Sequence, residues 1–257
     1  MNKLAFASVV CVSFAFGAAA QGIVTTTGYT GVPNKALEVM ARKAGGMIVA
    51  PNSQKGEVVY VNCQKRAPEA WIKEAVKSFA DLTRFKVTYK EGTFDLAAPK
   101  IEGNVTLFIV DDEKLPPILF APESRWAFVN IAPIAKETRP AFFEARTRKE
   151  LVRGVSFLCG ATNSQYPRSL TRGIVDQSDL DKNPDLQLPF DVIQRFPTYM
   201  EPLGVTPARV VMYRQACQEG WAPKPTNDVQ KAVWDKVHAL PSKPIKIEYD
   251  EKRDAGK

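Results

Sequence analysis

Metal-binding and acid–base chemistry need donors at fixed spacings, and this 257-residue chain offers few of them. It has a single histidine, His238, so no site built on two or three imidazoles can form. The densest run of oxygen ligands is Asp179-Leu180-Asp181-Lys182-Asn183-Pro184-Asp185. Asp179, Asp181, Asn183 and Asp185 alternate there as in the opening of a calcium loop. An EF-hand loop would need glycine where Pro184 stands and a bidentate glutamate where Phe190 stands. The run reads as a solvated loop, with weak calcium binding in another geometry left open.

Other reactive patterns fail on their own terms. Two carboxylates sharing a proton are normally carried on Asp-Thr-Gly or Asp-Ser-Gly turns, and neither tripeptide occurs. Asp111-Asp112 reads as the polar end of a strand. Gly154-Val155-Ser156-Phe157-Leu158 lacks the second glycine of a nucleophile elbow. A Cys63–His238 dyad would need two distant elements to meet. Asn104-Val105-Thr106 matches a glycosylation sequon but overlaps a strand expected to be buried.

The elements that must position any site follow from periodicity. A helix is expected over Asn34 to Lys43, ending at Gly45-Gly46. Val58 to Cys63 reads as a buried strand, and Pro68 opens a helix whose apolar stripe is Trp71, Ile72, Ala75, Val76 and Phe79. Strands are predicted at Phe85 to Tyr89, Val105 to Val110 and Trp126 to Ala132. The Pro-rich stretch Glu113 to Ser124 reads as a loop or bulged connection. A helix follows over about Thr147 to Cys159 and stops at Gly160. Thr162 to Pro189 reads as a long loop. Thr206-Pro207 reads as the cap and first residue of a helix running to Cys217. Asn227-Asp228 starts the last helix, and Ile245 to Tyr249 could add a closing strand. This alternation is α/β.

The order of strand, helix, further strands and helix, with Tyr199-Met200-Glu201-Pro202 downstream, resembles the catalytic domain of the metzincins, archaemetzincin-like members included. Those domains carry zinc on H-E-x-x-H-x-x-G-x-x-H. The resemblance implies an α/β (α+β) fold: a twisted mixed sheet packed on two helices, with a smaller, mostly helical C-terminal lobe. The chain then divides into residues 1–20 as a signal peptide, 21–56 as an extension with a short helix, 57–160 as the metzincin-like α/β core, and 161–257 as the C-terminal lobe with a long loop, a methionine-turn-like segment at Met200 and two helices. Setting Gly160 on the family glycine puts Arg153, Phe157 and Asn163 on the three histidines and Gly154 on the catalytic glutamate. A second register, Lys149-Glu150-x-x-Arg153, keeps a glutamate but places Ser156 at the glycine and Cys159 at the third ligand. Neither arginine nor phenylalanine can ligate zinc, so the resemblance points to a degenerate, non-catalytic relative with no metal and no cofactor.

The same resemblance implies a cleft holding an extended peptide or glycoprotein along an edge strand near Trp126 to Ile131. Its candidate residues are Trp126, Phe128, Asn130, Arg153, Phe157, Asn163 and Met200. It also implies a Cys159–Cys217 disulfide between two packed helices, leaving Cys63 buried and free. The alternative is a secreted peptidase acting on extracellular glycoproteins such as mucin through Asp, Glu or Cys groups.

Lys3, the apolar run Leu4 to Phe16 and Ala18-Ala19-Ala20 form the pattern of a cleavable export signal. Export to a periplasmic or extracellular space permits disulfides. The net charge of +7 is spread over small basic groups without interleaved aromatics. That argues against nucleic acid as a partner and allows attraction to anionic glycans. No second apolar span follows the signal, and a monomer is expected.

Overall fold

Two strongly apolar runs, Val58–Cys63 and Val105–Val110, lie side by side as parallel strands with every residue buried. The computed structural model describes residues 35–136, 140–182, 186 and 188–239. The helices are α1 (Lys35–Lys43), α2 (Glu69–Thr83), α3 (Ala132–Ala135), α4 (Pro140–Leu158), α5 (Phe190–Met200), α6 (Tyr213–Gln218) and α7 (Asp228–His238). The strands are β1 (Met47–Val49), β2 (Val58–Cys63), β3 (Val87–Gly92), β4 (Val105–Val110), β5 (Ile118–Ala121), β6 (Trp126–Asn130) and β7 (Val210–Met212).

The main sheet has the order β3-β2-β4-β6-β5, parallel except for β5, which runs antiparallel to β6. Because side chains alternate along a strand, the sheet has two apolar faces. Val58, Tyr60, Leu107, Ile109, Ala127 and Val129 face the helices, and Ile72, Ala75 and Phe79 of α2 and Leu151, Val152, Val155 and Leu158 of α4 complete that core. Each such side chain contributes about 1.5–3 kcal/mol when fully buried. The opposite face, Val59, Val61, Cys63, Phe108, Val110 and Phe128, is covered by Phe94, Leu115, Leu119 and Trp126. Phe94 lies 4.8 Å from Phe108 and 5.5 Å from Phe128, ring centre to ring centre. The mixed α/β sheet on two helices is thus the architecture expected from the sequence.

Gly154 sets how closely α4 approaches the sheet. A Cβ there would fall 2.5 Å from Cγ2 of Val129 on β6, so a side chain would push the helix off the strand.

Four local expectations are corrected. The segment read as a loop contains β5, so β6 is an interior strand and the sheet edge lies at Ile118–Ala121. Val210 to Met212 is a strand, not helix. Thr206 bridges to Lys55 instead of capping a helix, and Val210 and Val211 then pair with Val49 and Ile48 of β1. Phe190–Met200 is a helix, starting after Pro189. Met200 closes that helix, buried in the main core, and does not sit in a turn. The two-stranded β1–β7 sheet had no counterpart in the sequence reading. The export signal, residues 21–31, Ile245 to Tyr249 and the final residues lie outside the described residues. Among the described residues, no helix is long and apolar enough to cross a membrane.

Candidate functional site

α4 carries a row of buried polar residues along one side. Arg146, Lys149, Glu150 and Arg153 are 4%, 8%, 0% and 7% exposed. Arg146 donates from Nε and Nη2 to the two carboxylate oxygens of Asp181, at 2.9 and 2.6 Å. Lys149 Nζ donates to the carbonyl of Leu180 at 2.9 Å. The segment after Gly160 therefore straps the polar face of α4, held by groups that could not stay buried alone. Asp181 is held below the usual carboxylate range by Arg146. Lys182, with the Val175 amide, brings Asp179 to about 2. Two of the four calcium candidates are thus engaged within the protein; Asn183 and Asp185 lie outside the described residues.

One turn further on, Arg153 Nη1 donates to Glu150 Oε1 at 3.0 Å. The guanidinium also lies 4.9 Å above the centre of the Phe157 ring, a cation–π contact. Phe157 stacks on Phe120 of β5 at 5.5 Å and 20°. Burial pushes the Glu150 carboxyl upward, and Arg153 beside it opposes that rise. Glu150 Oε2 and Arg153 Nε find no hydrogen-bond partner among the described residues.

This arrangement does not fit zinc. In the first register the ligand positions hold Arg153, already paired with a carboxylate, Phe157 under an arginine, and Asn163 on an exposed loop. In the second, Lys149 donates to a carbonyl and Ser156 hydrogen-bonds the Val152 carbonyl at 2.6 Å. Protonated cations offer a metal no lone pair. No three His, Cys, Asp or Glu groups converge elsewhere among the described residues.

The seven candidate cleft residues do not form one surface. Arg153 and Phe157 meet on α4. Trp126 and Phe128 belong to the opposite face of the sheet, against Phe94. Met200 lies in the main core at the end of α5. Asn130 is fully buried and structural: its Nδ2 donates to the carbonyls of Asp112 and Leu115, and its Oδ1 accepts from the amides of Asp112 and Ala132. The physical reason is strand alternation: even positions of β6 point away from α4. Phe120 was missed, because the prolines around it disguised the apolar triplet Ile118-Leu119-Phe120 as a loop.

The expected Cys159–Cys217 bond is absent; Cys63, Cys159 and Cys217 are all free and buried. Cys159 directly follows α4, in the main core. Cys217 sits on α6, which packs on α7 and the small sheet, because residues 210–212 are strand and carry the following helix away from α4. Burial pushes the Cys63 thiol up to about 11 and raises Cys159 further, which disfavours the thiolate needed for nucleophilic attack. Asn104, the sequon asparagine, is also committed: it accepts from the Glu57 amide and donates to the Leu203 carbonyl, each at 3.0 Å.

No protein-family model matches this sequence, and no curated protein matches it. Solved structures similar to this one include archaemetzincin from Methanopyrus kandleri, at 14% identity, covering 60% of this chain and 99% of that one, with a TM-score of 0.46. Another is a zinc-dependent peptidase from Methanocorpusculum labreanum, at 10% identity, 54% and 99% coverage, and a TM-score of 0.41. Archaemetzincin from Archaeoglobus fulgidus is similar at 11% identity, 54% and 99% coverage, and a TM-score of 0.42.

Proposed function

We propose that this chain is an exported, non-catalytic protein that binds an extended peptide or glycoprotein segment along the outer edge of β5. The observation that carries the reading is the sheet's antiparallel end strand, which pairs on one side only among the described residues and presents Phe120, 43% exposed, stacked over Phe157. An incoming strand would take main-chain hydrogen bonds from that edge, and alternate side chains would rest on the aromatic shelf. The Arg153–Glu150 pair behind the shelf supports a binding role, since it occupies the part of α4 where the resemblance would place metal chemistry. Export rests on the pattern Lys3, Leu4 to Phe16 and Ala18 to Ala20, and the net charge of +7 favours anionic, glycosylated ligands.

The test is a library of extended peptides presented to the mature chain, with binding followed by fluorescence polarisation. The expected result is selective binding that backbone N-methylation of the peptide and Phe120→Asp both abolish. Cleavage of the same peptides, above all cleavage stopped by a chelator, would replace this reading with a peptidase. Amino-terminal sequencing of the exported protein tests the signal, with Gln21 expected first.

A further inference from the structure

Helix α7 is amphipathic yet has no fully buried residue. Val229, Ala232, Val233 and Val237 recur at three- and four-residue spacing, the stripe by which a surface helix packs on a core. No residue of α7 is buried, however, and Val229 is 47% exposed. Part of its anchorage is polar. Asn227 Oδ1 accepts from the Gln230 amide at 2.9 Å, and Gln230 Nε2 donates to the Gly45 carbonyl at 2.9 Å, beyond the end of α1. Met40 of α1 is likewise 56% exposed.

These faces line an open trough of about 450 Å³ between α1, α7 and the β7–α6 junction, with Met40, Met212 and Val233 on its floor and walls. Lys43, Arg214 and Lys236 also line it, and among the described residues no carboxylate does. We infer that the trough takes an acidic amphipathic helix of a partner protein, with its apolar face between α1 and α7 and its carboxylates against Lys43, Arg214 and Lys236.

Three features select that occupant. At 1.5 Å per residue, α1 and α7 are about 13 and 16 Å long, matching two to three turns of a third helix. Methionines at the contact adapt to a range of apolar side chains, as in other helix-binding grooves. Three cations on the rim reject a basic partner and steer an acidic one, in keeping with a chain of net charge +7. A bilayer offers a flat surface, whereas this one is concave. The site is separate from the edge of β5 and does not depend on it.

The probe is a fluorescein-labelled synthetic helix with leucines at three- and four-residue spacing and flanking glutamates, compared with its lysine-for-glutamate counterpart. The acidic helix is expected to bind the full mature chain, more weakly as salt rises. Lys43→Glu combined with Lys236→Glu should weaken it by about tenfold or more. Val233→Asp should abolish it, circular dichroism showing both variants folded, and Phe120→Asp should leave it unchanged. Equal binding of the lysine helix, full affinity in the double variant, or no binding of either helix overturns the inference. So does sedimentation of the chain with phosphatidylglycerol vesicles while the acidic helix fails to bind, which would make the trough a membrane contact. Self-association dissolved by Val233→Asp, again without helix binding, would make it a contact between copies of this chain.

Discussion

Glu150 and Arg153, one turn apart on α4, form a 3.0 Å ion pair in which the carboxylate is 0% and the guanidinium 8% exposed by side chain. A buried pair of this kind contributes little net stability, but removing one member leaves an uncompensated charge. Glu150→Ala and Arg153→Ala should each destabilise the protein by about 3–5 kcal/mol, whereas replacing both by Leu and Met should cost much less. Urea unfolding of the two single variants and the double variant measures this. A loss below about 1 kcal/mol in both single variants, the range of surface changes, would mean the pair is not buried in solution.

Gly154→Ala is expected to destabilise, although alanine is the better helix former by about 1 kcal/mol. The new methyl group would fall 2.5 Å from Cγ2 of the fully buried Val129. Overpacking of this kind costs roughly 1–3 kcal/mol. Val129→Ala should lose stability alone yet recover part of it when combined with Gly154→Ala. Strict additivity in that double-mutant cycle would deny the contact.

Cys63, Cys159 and Cys217 should resist thiol reagents in the folded protein and all react once it is unfolded. Each is buried and free, and burial raises the thiol pKa of all three, Cys63 to about 11. Mass spectrometry of the alkylated, unreduced chain reads this directly. A Cys159–Cys217 peptide surviving digestion would contradict the separation of α4 and α6.

Glu219 gives a pH-dependent signature. Hydrogen bonds from Arg209, Trp221 and Gln215 lower its pKa from 4.5 to about 2. A depressed folded-state pKa contributes stability that is present above the unfolded value and lost as pH falls through the folded one. Glu219→Gln should therefore lower the urea midpoint at neutral pH, and its gap from the parent should close between pH 4.5 and about 2. A constant gap across that window would show that the carboxylate is not paired.

The large elements were legible because burial imposes a period. β2 and β4 announce themselves as unbroken apolar runs, and α2 shows its stripe from Ile72 to Phe79. The cap of α7 at Asn227 was equally plain, since an Asn side chain at that position has a backbone amide to accept from. Other features depended on distant partners. Val210 and Val211 carry β-branched side chains after a Thr-Pro pair, and only Lys55 and β1 decide between strand and helix there. β5 was hidden by prolines that flank it without entering it. The burial of Arg146 and Lys149 on α4 also depends on distant partners, because nothing in the sequence says that Leu180 and Asp181 fold back over them.

The small sheet pairs Met47 with Met212, 165 positions further along the chain, through only three residues on each side. Closing so long a loop for so few contacts is entropically unfavourable until everything between them has folded. The β1–β7 pair should thus be the last to form and the first to open. In native-state hydrogen exchange, the backbone amides of Ile48 and Val211 should exchange through a local opening well below the free energy that releases Val59 or Leu107. The trough beside α7 is built on that same pair, so a helix bound there would slow this exchange while leaving the central strands unaffected.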